Sequence, residues 1–152
     1  MQKSFILILL ILLITSCKRD YSDIISESTV LPSYECGDKP ARNLIDKDST
    51  TIWNACGNGT QWLNFNFAKS VEIKNIEIEV NSSVASNIKY DILIRRKDEL
   101  DYKNIESSNF NISEKYFLKS NFKEQEDISD LKFVIKNDSS WICVSQMKII
   151  GR

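Results

Sequence analysis

The sequence predicts an all-β sandwich, and three observations support this. Several short stretches alternate apolar and polar residues, which is the period of a strand with one buried face. Turns rich in Asn, Asp and Ser separate these stretches at spacings of about ten residues. No stretch keeps a helical apolar period over three turns. Many short strands with this spacing are typical of two packed antiparallel sheets.

Composition excludes several classes of function. The 152 residues carry 20 basic and 21 acidic side chains, for a net charge of -1, which suits one folded domain. There is no basic block, so nucleic acid is not an expected partner. The absence of histidine removes histidine-based catalysis and histidine metal ligands. No constellation of residues supports catalysis, so we do not expect an enzyme.

The first thirty residues are expected to lie outside the domain. Residues 5–14 form an unbroken apolar run behind Lys3, the length of a signal-peptide core and too short to span a membrane. Ile14-Thr15-Ser16-Cys17 then resembles the lipobox of bacterial lipoproteins, although an ordinary signal peptide with a chance cysteine is the alternative. We expect residues 1–16 to be removed, Cys17 to carry lipid, residues 17–30 to be a tether and residues 31–152 to form the domain. The protein would then be a membrane-anchored lipoprotein of the outer membrane or cell surface.

Alternating apolar residues predict where the individual strands lie along the chain. Leu63, Phe65 and Phe67 alternate with polar residues, and a second alternating stretch, residues 71–80, is interrupted at Lys74-Asn75 by a change of register. Residues 123–127 are strongly charged and indicate a solvated loop. Further strands are expected at residues 88–94, 110–112, 116–118, 131–135 and 141–150.

Three cysteines remain once Cys17 is used by lipid, so at most one disulfide can form. Cys36–Cys56 is the preferred pair, because it would close a loop around an Asp-rich turn and contribute about 3 kcal/mol. Cys56–Cys143 is the main alternative, and three buried free thiols are another.

The Asp-rich turn, Asp46-Lys47-Asp48-Ser49-Thr50, has two possible interpretations, a metal site or a metal-free turn. Its short oxygen-bearing side chains are of the kind that Ca²⁺ binds. The same side chains can instead satisfy the backbone of the turn without a metal. The residues alone do not decide between them.

A second cluster combines aromatic and amide side chains. Trp53, Trp62 and Trp141 are all candidates for the core, but Trp62 could also lie open beside the loop that follows Trp53. An exposed ring next to amides is a common way to hold a sugar. The expected ligand-binding residues are therefore Tyr34, Glu35, Arg42, Asn54, Asn58, Gln61 and Trp62.

These residues resemble a known family. The pattern Ala41-x-Asn43-Leu44-Ile45-Asp46-x-Asp48-x-Thr50-x-x-Trp53, then Trp62-Leu63-x-Phe65-x-Phe67, is similar to the discoidin, or coagulation factor five/eight type C, domain. The closing stretch from Cys143 to Gly151 is similar to the last strand of that family, and most of all to its bacterial NADase-type glycan-binding variety. The resemblance implies a galactose-binding-like jelly roll of two antiparallel sheets.

The resemblance also implies a site. In many relatives the Asp-rich turn binds a structural Ca²⁺, which here would fall to Asp46, Asp48 and Thr50. Lys47 brings a positive charge beside this site and Gln146 replaces an acidic residue of the last strand, so Ca²⁺ binding should be weakened. Sugar-binding relatives use loops at one end of the sandwich, which correspond here to residues 34–42 and 54–61.

The expected function is that of a non-catalytic, membrane-anchored module that recognises carbohydrate through these loops. The alternative is a protein-binding adhesive or accessory lipoprotein of the same fold, with a surface protein as its partner.

Overall fold

A computed structural model describes residues 20–152 of the chain. The predicted signal peptide and Cys17 lie outside the described residues, so their roles stay predictions. Among residues 20–152 no helix has the length and apolar character needed to cross a membrane.

The described chain is an antiparallel β structure, as predicted. The strands are β1 (Ser22–Asp23), β2 (Ser28–Pro32), β3 (Trp53–Asn54), β4 (Gly59–Asn81), β5 (Ser86–Arg96), β6 (Lys103–Ile112), β7 (Lys115–Asn137) and β8 (Cys143–Gly151). Their order is β1-β8-β4-β7-β5-β6, with β2 added beside β4 and β3 beside β8. Two short 3-10 helices, η1 (Ile25–Glu27) and η2 (Ala41–Leu44), complete the described structure.

Two long strands, β4 and β7, connect the two layers of the sandwich. Their pairing runs without interruption from Gly59 to Asn66, shifts register between Asn66 and Asn75, and then continues to Asn81. The first half of β4 pairs with β2 and the second half with β8, so each half belongs to a different layer. The charged stretch at residues 123–127 is therefore part of bent β7 and not the loop that its composition indicated, because bulges accommodate the change of direction within the strand.

The core lies between the layers and follows the sequence alternation. Leu63, Phe65, Ile76 and Ile78 on β4 are fully or almost fully buried, and Phe133 on β7 faces them from the same cluster. Alternating side chains point to opposite faces of a strand, so each half of β4 contributes one row to this core.

The sandwich has two distinct ends. Gly59, Asn81, Asn137 and Cys143 terminate their strands at one end, which we call the loop pole. The bends of β4 and β7 and the pairing of β1 with the end of β8 lie at the other, which we call the closed pole. Eight residues of β4 separate the poles, or about 26 Å at the usual rise of a strand.

The expected boundary between tether and domain at residue 30/31 is wrong. Ser22 and Asp23 pair with Gly151 and Ile150, and β2 pairs with β4 over five residues. Ile24 and Ile25 are buried in the core, at 2% and 3% exposure. The folded domain therefore includes residues 22–30, which were expected to be tether. The polar composition around these two isoleucines concealed this, because a strand of two residues is too short to show a period.

Candidate functional site

A cleft of about 460 Å³ opens at the loop pole. Three loops form it, and their contributions are Cys56, Gly57, Asn58, Ser83, Ser139, Ser140 and Trp141. The loops are bonded to one another: the Ser83 and Ser140 hydroxyls lie 3.1 Å apart, and the Asn58 amide donates to the carbonyl of Asp138 at 3.5 Å. The walls of the cleft are therefore joined across loops that are distant in sequence.

Trp141 provides the aromatic surface of the cleft. Its side chain is 55% exposed, while its neighbour Ile142 is completely buried. The turn before it is held by buried Asn137, whose side-chain oxygen Oδ1 accepts the backbone N–H of Ser139 at 2.9 Å and whose side-chain Nδ2 donates to the Ser86 hydroxyl at 3.1 Å. With the turn fixed on one side and Ile142 anchored on the other, the tryptophan ring is displayed to solvent.

A disulfide supports the opposite wall. Cys36 and Cys56 are bonded, which confirms the preferred pair and leaves Cys143 as a free, half-buried thiol whose pKa is raised by burial. Cys56 adopts a left-handed backbone with φ of 55°, and its amide donates to the Asn54 side chain at 2.8 Å. The cross-link and this hydrogen bond hold the loop in a conformation that few residues adopt unaided.

The structure places only part of the expected ligand-binding set at the cleft. Asn58 lies in its wall, and Gln61 stands directly behind, donating to the carbonyl of Asn58 at 3.3 Å. Asn54 is buried and its carboxamide is used internally, at Cys56. Trp62 lies on the outer face of its sheet with the Lys132 ammonium 4.3 Å from the ring centre.

The loop at residues 34–42 lies beside this region and is largely structural. The carbonyl of Tyr34 accepts the indole N–H of Trp53 at 3.1 Å, although the Tyr34 side chain itself is exposed. The Glu35 carboxylate accepts the amide of Ala41 at 2.9 Å and so caps the start of η2. Arg42 is exposed on η2. None of these three side chains lines the cleft.

Sequence reasoning missed the main aromatic residue of the cleft, Trp141. The strand predicted at residues 141–150 begins with this tryptophan, whereas β8 begins at Cys143. The available signal was the polar turn Asn137-Asp138-Ser139-Ser140 directly before the tryptophan, which indicates a loop and therefore an exposed position.

The cleft is polar but uncharged. Its side-chain groups are hydroxyls and an amide around one indole ring, and none of the Asp, Glu, Lys or Arg side chains of residues 20–152 lines it. Such groups can donate and accept hydrogen bonds with hydroxyls while the ring covers an apolar face. The arrangement suits reversible binding of a neutral, hydroxyl-rich molecule.

The Asp-rich turn lies elsewhere, beside the middle of β8. Asp46 accepts the amide of Asp48 at 2.8 Å, and Asp48 accepts both the amide and the hydroxyl of Thr50, at 2.9 and 2.7 Å. The Thr50 bonds hold the pKa of Asp48 below its usual range. The turn thus contains an Asx/ST network, and the Ca²⁺ interpretation stays a prediction.

The same turn contains a cluster of oxygens around Thr51, which is not one of the expected metal ligands Asp46, Asp48 and Thr50. The Thr51 hydroxyl lies 3.1 Å from the Asn43 carbonyl, 2.9 Å from the Asp48 carbonyl and 3.1 Å from the nearer Asp46 carboxylate oxygen. One hydroxyl proton cannot serve three acceptors, so acceptor oxygens exceed donors at this point. Excess hard oxygens are the donor type that Ca²⁺ binds.

The cluster fits Ca²⁺ in the type of its atoms but is short of negative charge. Of the two carboxylates in the turn, that of Asp46 contacts the cluster at Thr51, whereas that of Asp48 bonds to Thr50. A hollow of about 300 Å³ between the turn and β8 is lined by Lys47, Gln146 and Lys148 among others. The ammonium groups of the two lysines would repel a bound cation. In residues 20–152 no three acidic or cysteine side chains are grouped as metal ligands. If the ion binds, Asn43, Asp46, Asp48 and Thr51 would hold it, and it would stiffen the turn.

Comparisons with known proteins identify the fold. No family model matches the sequence, and no curated protein matches it. Among solved structures, the family 32 carbohydrate-binding module of Clostridium perfringens NanJ in complex with galactose has a TM-score of 0.72 at 16% identity, covering 86% of this chain and 98% of that one. The module CpGH89CBM32-5 of the same species, in complex with GalNAc-β-1,3-galactose, has a TM-score of 0.70 at 16% identity, with coverage of 84% and 99%.

Two further structures have other origins. Chitosan-binding module 1 of a Paenibacillus sp. IK-5 chitosanase/glucanase has a TM-score of 0.70 at 14% identity, covering 88% of this chain and 100% of that module. A Ruminococcus gnavus GH29 fucosidase also matches, with a TM-score of 0.68 at 15% identity, but this chain spans only 26% of its length. The chain therefore has the discoidin-like jelly-roll fold of the family 32 carbohydrate-binding modules, as the sequence resemblance predicted.

Proposed function

We propose that this chain is a non-catalytic glycan-binding module, anchored to a bacterial membrane by lipid on Cys17, that holds its ligand in the cleft at the loop pole. The observation that carries the proposal is the half-exposed Trp141 ring set among hydroxyl and amide groups. Structures with the same fold and near-complete coverage are carbohydrate-binding modules in complex with galactose or GalNAc-β-1,3-galactose.

The chemistry of the cleft indicates how a sugar would be held. The apolar C–H face of a pyranose would lie against the Trp141 indole, which excludes water from both surfaces. Ser83, Ser139, Ser140 and Asn58 would exchange hydrogen bonds with the sugar hydroxyls. Because the described residues that line the cleft carry no charge, the ligand class that fits best is a neutral sugar.

The absence of catalytic groups at the cleft supports a binding role. Hydrolysis of a glycosidic bond commonly uses two carboxyl groups on opposite sides of the bond. The lining of the cleft supplies neither carboxyl group. Asp46 and Asp48 are on the turn beside β8, where their oxygens are bonded to the turn itself.

A glycan array with residues 18–152 tests the proposal, followed by titration of the best sugar against variants. Trp141→Ala should weaken binding at least about tenfold, since burial of an aromatic ring contributes more than 1.4 kcal/mol. Trp62→Ala is the matched control, because it removes the same ring from the outer face of a sheet. Equal affinity of Trp141→Ala and the unsubstituted domain would contradict the proposed site, and an array with no bound sugar would contradict the function.

A protein partner is a second candidate, favoured by one specific observation. Phe117 is 66% exposed on β7, with the Lys115 ammonium 5.7 Å from its ring centre, and Val84 is 49% exposed in a loop at the loop pole. Exposed apolar side chains of this kind are used in contacts between proteins. This candidate predicts that Phe117→Ser, and not Trp141→Ala, abolishes attachment to a surface protein.

A further inference from the structure

The N-terminal segment is clamped to the closed pole. The Tyr21 ring lies between two cations, with the Lys74 ammonium 4.9 Å and the Arg152 guanidinium 4.7 Å from its centre. Its hydroxyl donates to Glu72, which also bonds Arg152 at 2.6 Å. These contacts tie Tyr21 to β4 and to Arg152, the residue after β8, so the chain is already held at Tyr21.

Close packing after Tyr21 makes the clamp rigid. Ile24 is buried against Gly151, so closely that a Cβ on that glycine would lie 2.6 Å from the Ile24 side chain. The backbone N–H of Ile24 donates to the carbonyl of Ile149 at 2.8 Å. A segment held by backbone pairing and core burial cannot act as a flexible spacer.

The remaining spacer is therefore very short. Three residues separate Cys17 from Tyr21 in the sequence. Even a fully extended chain over these four steps reaches only about 14 Å. A lipid on Cys17 would place the closed pole within this distance of the bilayer, whereas the cleft lies about 26 Å further along the strands.

A second feature of the same pole fits a lipid surface. The hairpin between β5 and β6 is joined to the bend of β7 by the bond from the Lys97 amide to the Asp127 carbonyl, at 2.9 Å. At the tip of this hairpin Leu100 is 91% exposed. Asp98, Glu99 and Asp101 flank it, so the tip suits a neutral or zwitterionic interface better than a strongly anionic one.

We propose that the closed pole, with Leu100 at its tip, is the membrane-facing surface of this protein and that the cleft faces away from its own bilayer. The partner of the closed pole is the lipid interface, and the ligands of the cleft are glycans on another surface. The inference rests on the proposed lipid anchor, and its second half rests on the proposed glycan cleft.

The full chain, lipidated in bacteria and reconstituted into phosphatidylcholine vesicles, provides the test. A fluorophore is placed on Leu100→Cys or, near the cleft, on Asp138→Cys, both in a Cys143→Ala background, and lipids brominated near the headgroup serve as short-range quenchers. We expect most of the fluorescence at position 100 to be lost and the fluorescence at position 138 to be retained. Equal quenching at both positions, or stronger quenching at position 138, would overturn the inference.

Two controls separate this inference from the proposed function. Mass spectrometry of Cys17 shows whether the acyl chains are present, and their absence would overturn the anchor and the orientation while leaving the glycan array unaffected. Quenching is read without sugar, so a failed array does not alter the orientation. A twelve-residue Gly-Ser insertion between Asp20 and Tyr21 should reduce the quenching at position 100, because it releases the closed pole from the bilayer.

Discussion

The burial of Ile24 permits a sharp test of where the folded domain begins. If residues 17–30 were a tether, replacing this isoleucine with alanine would not change stability. In the structure the side chain is 2% exposed and packs against Gly151 at the end of β8. Ile24→Ala should therefore destabilise the whole sandwich, although the residue lies only seven positions after the expected lipidation site.

The magnitude follows from the atoms removed. Ile24→Ala deletes three buried carbons, which at about 0.8 kcal/mol each amounts to about 2.4 kcal/mol of lost transfer free energy. The cavity left behind adds a further cost of about 1 kcal/mol, and partial collapse at the pole reduces it. We expect a loss of about 3 kcal/mol in the free energy of unfolding, which corresponds to a decrease in Tm of about 10 °C for a domain of this size.

Urea unfolding of residues 18–152, followed by tryptophan fluorescence and circular dichroism, measures this change. Ser26→Ala is the matched control, because Ser26 is exposed two positions away in η1. The control should remain within about 0.5 kcal/mol of the unsubstituted protein. An Ile24→Ala variant as stable as the control would show that the N-terminal segment is not part of the core.

Four other predictions follow from the described contacts. Gly151→Ala should lower Tm more than a typical surface substitution, since its Cβ would lie 2.4 Å from a neighbouring carbonyl oxygen; an unchanged Tm would contradict that packing. Burial and the hydrogen bond to Glu106 raise the pKa of Tyr90 to about 12, above its value in the unfolded chain. The contribution of Tyr90 to the free energy of unfolding should therefore be fully present below pH 10 and decline as the pH rises to 12. Tyr90→Phe should flatten this decline in melting curves recorded at different pH. With a dissociation constant of about 1 mM, 10 mM Ca²⁺ should raise the free energy of unfolding by about 1.4 kcal/mol through linkage. Tm should then rise by about 4 °C in the unsubstituted domain and not in Thr51→Val. Identical melting of chelated and Ca²⁺-loaded protein would exclude the oxygen cluster around Asp46 as a Ca²⁺ site. Reduction of the disulfide should weaken sugar binding more than it lowers the folded fraction, as measured by titration in dithiothreitol, because one half-cystine forms part of the cleft wall.

Most of the strands could be predicted from the sequence because their signal is local. The alternation of Leu63, Phe65 and Phe67 reports directly which face of a strand is buried, whatever layer the strand joins. The odd number of cysteines limited the chain to one disulfide and Cys36–Cys56 was the preferred pair, but Cys56–Cys143 stayed an alternative until the structure showed which sulfurs meet. The strand signal depends on neighbours in sequence, so the chain alone displays it.

The cleft and the start of the domain were decided by tertiary structure. Exposure of Trp141 depends on three loops that meet at one pole, and burial of Ile24 depends on a glycine 127 residues later in the chain. Neither residue differs by type from a tryptophan in a core or an isoleucine in a tether, although the polar turn before Trp141 gives a local indication of its exposure. Local sequence determines which residues can be buried, whereas contacts between distant segments determine which of them are, because burial is a property of the assembled surface.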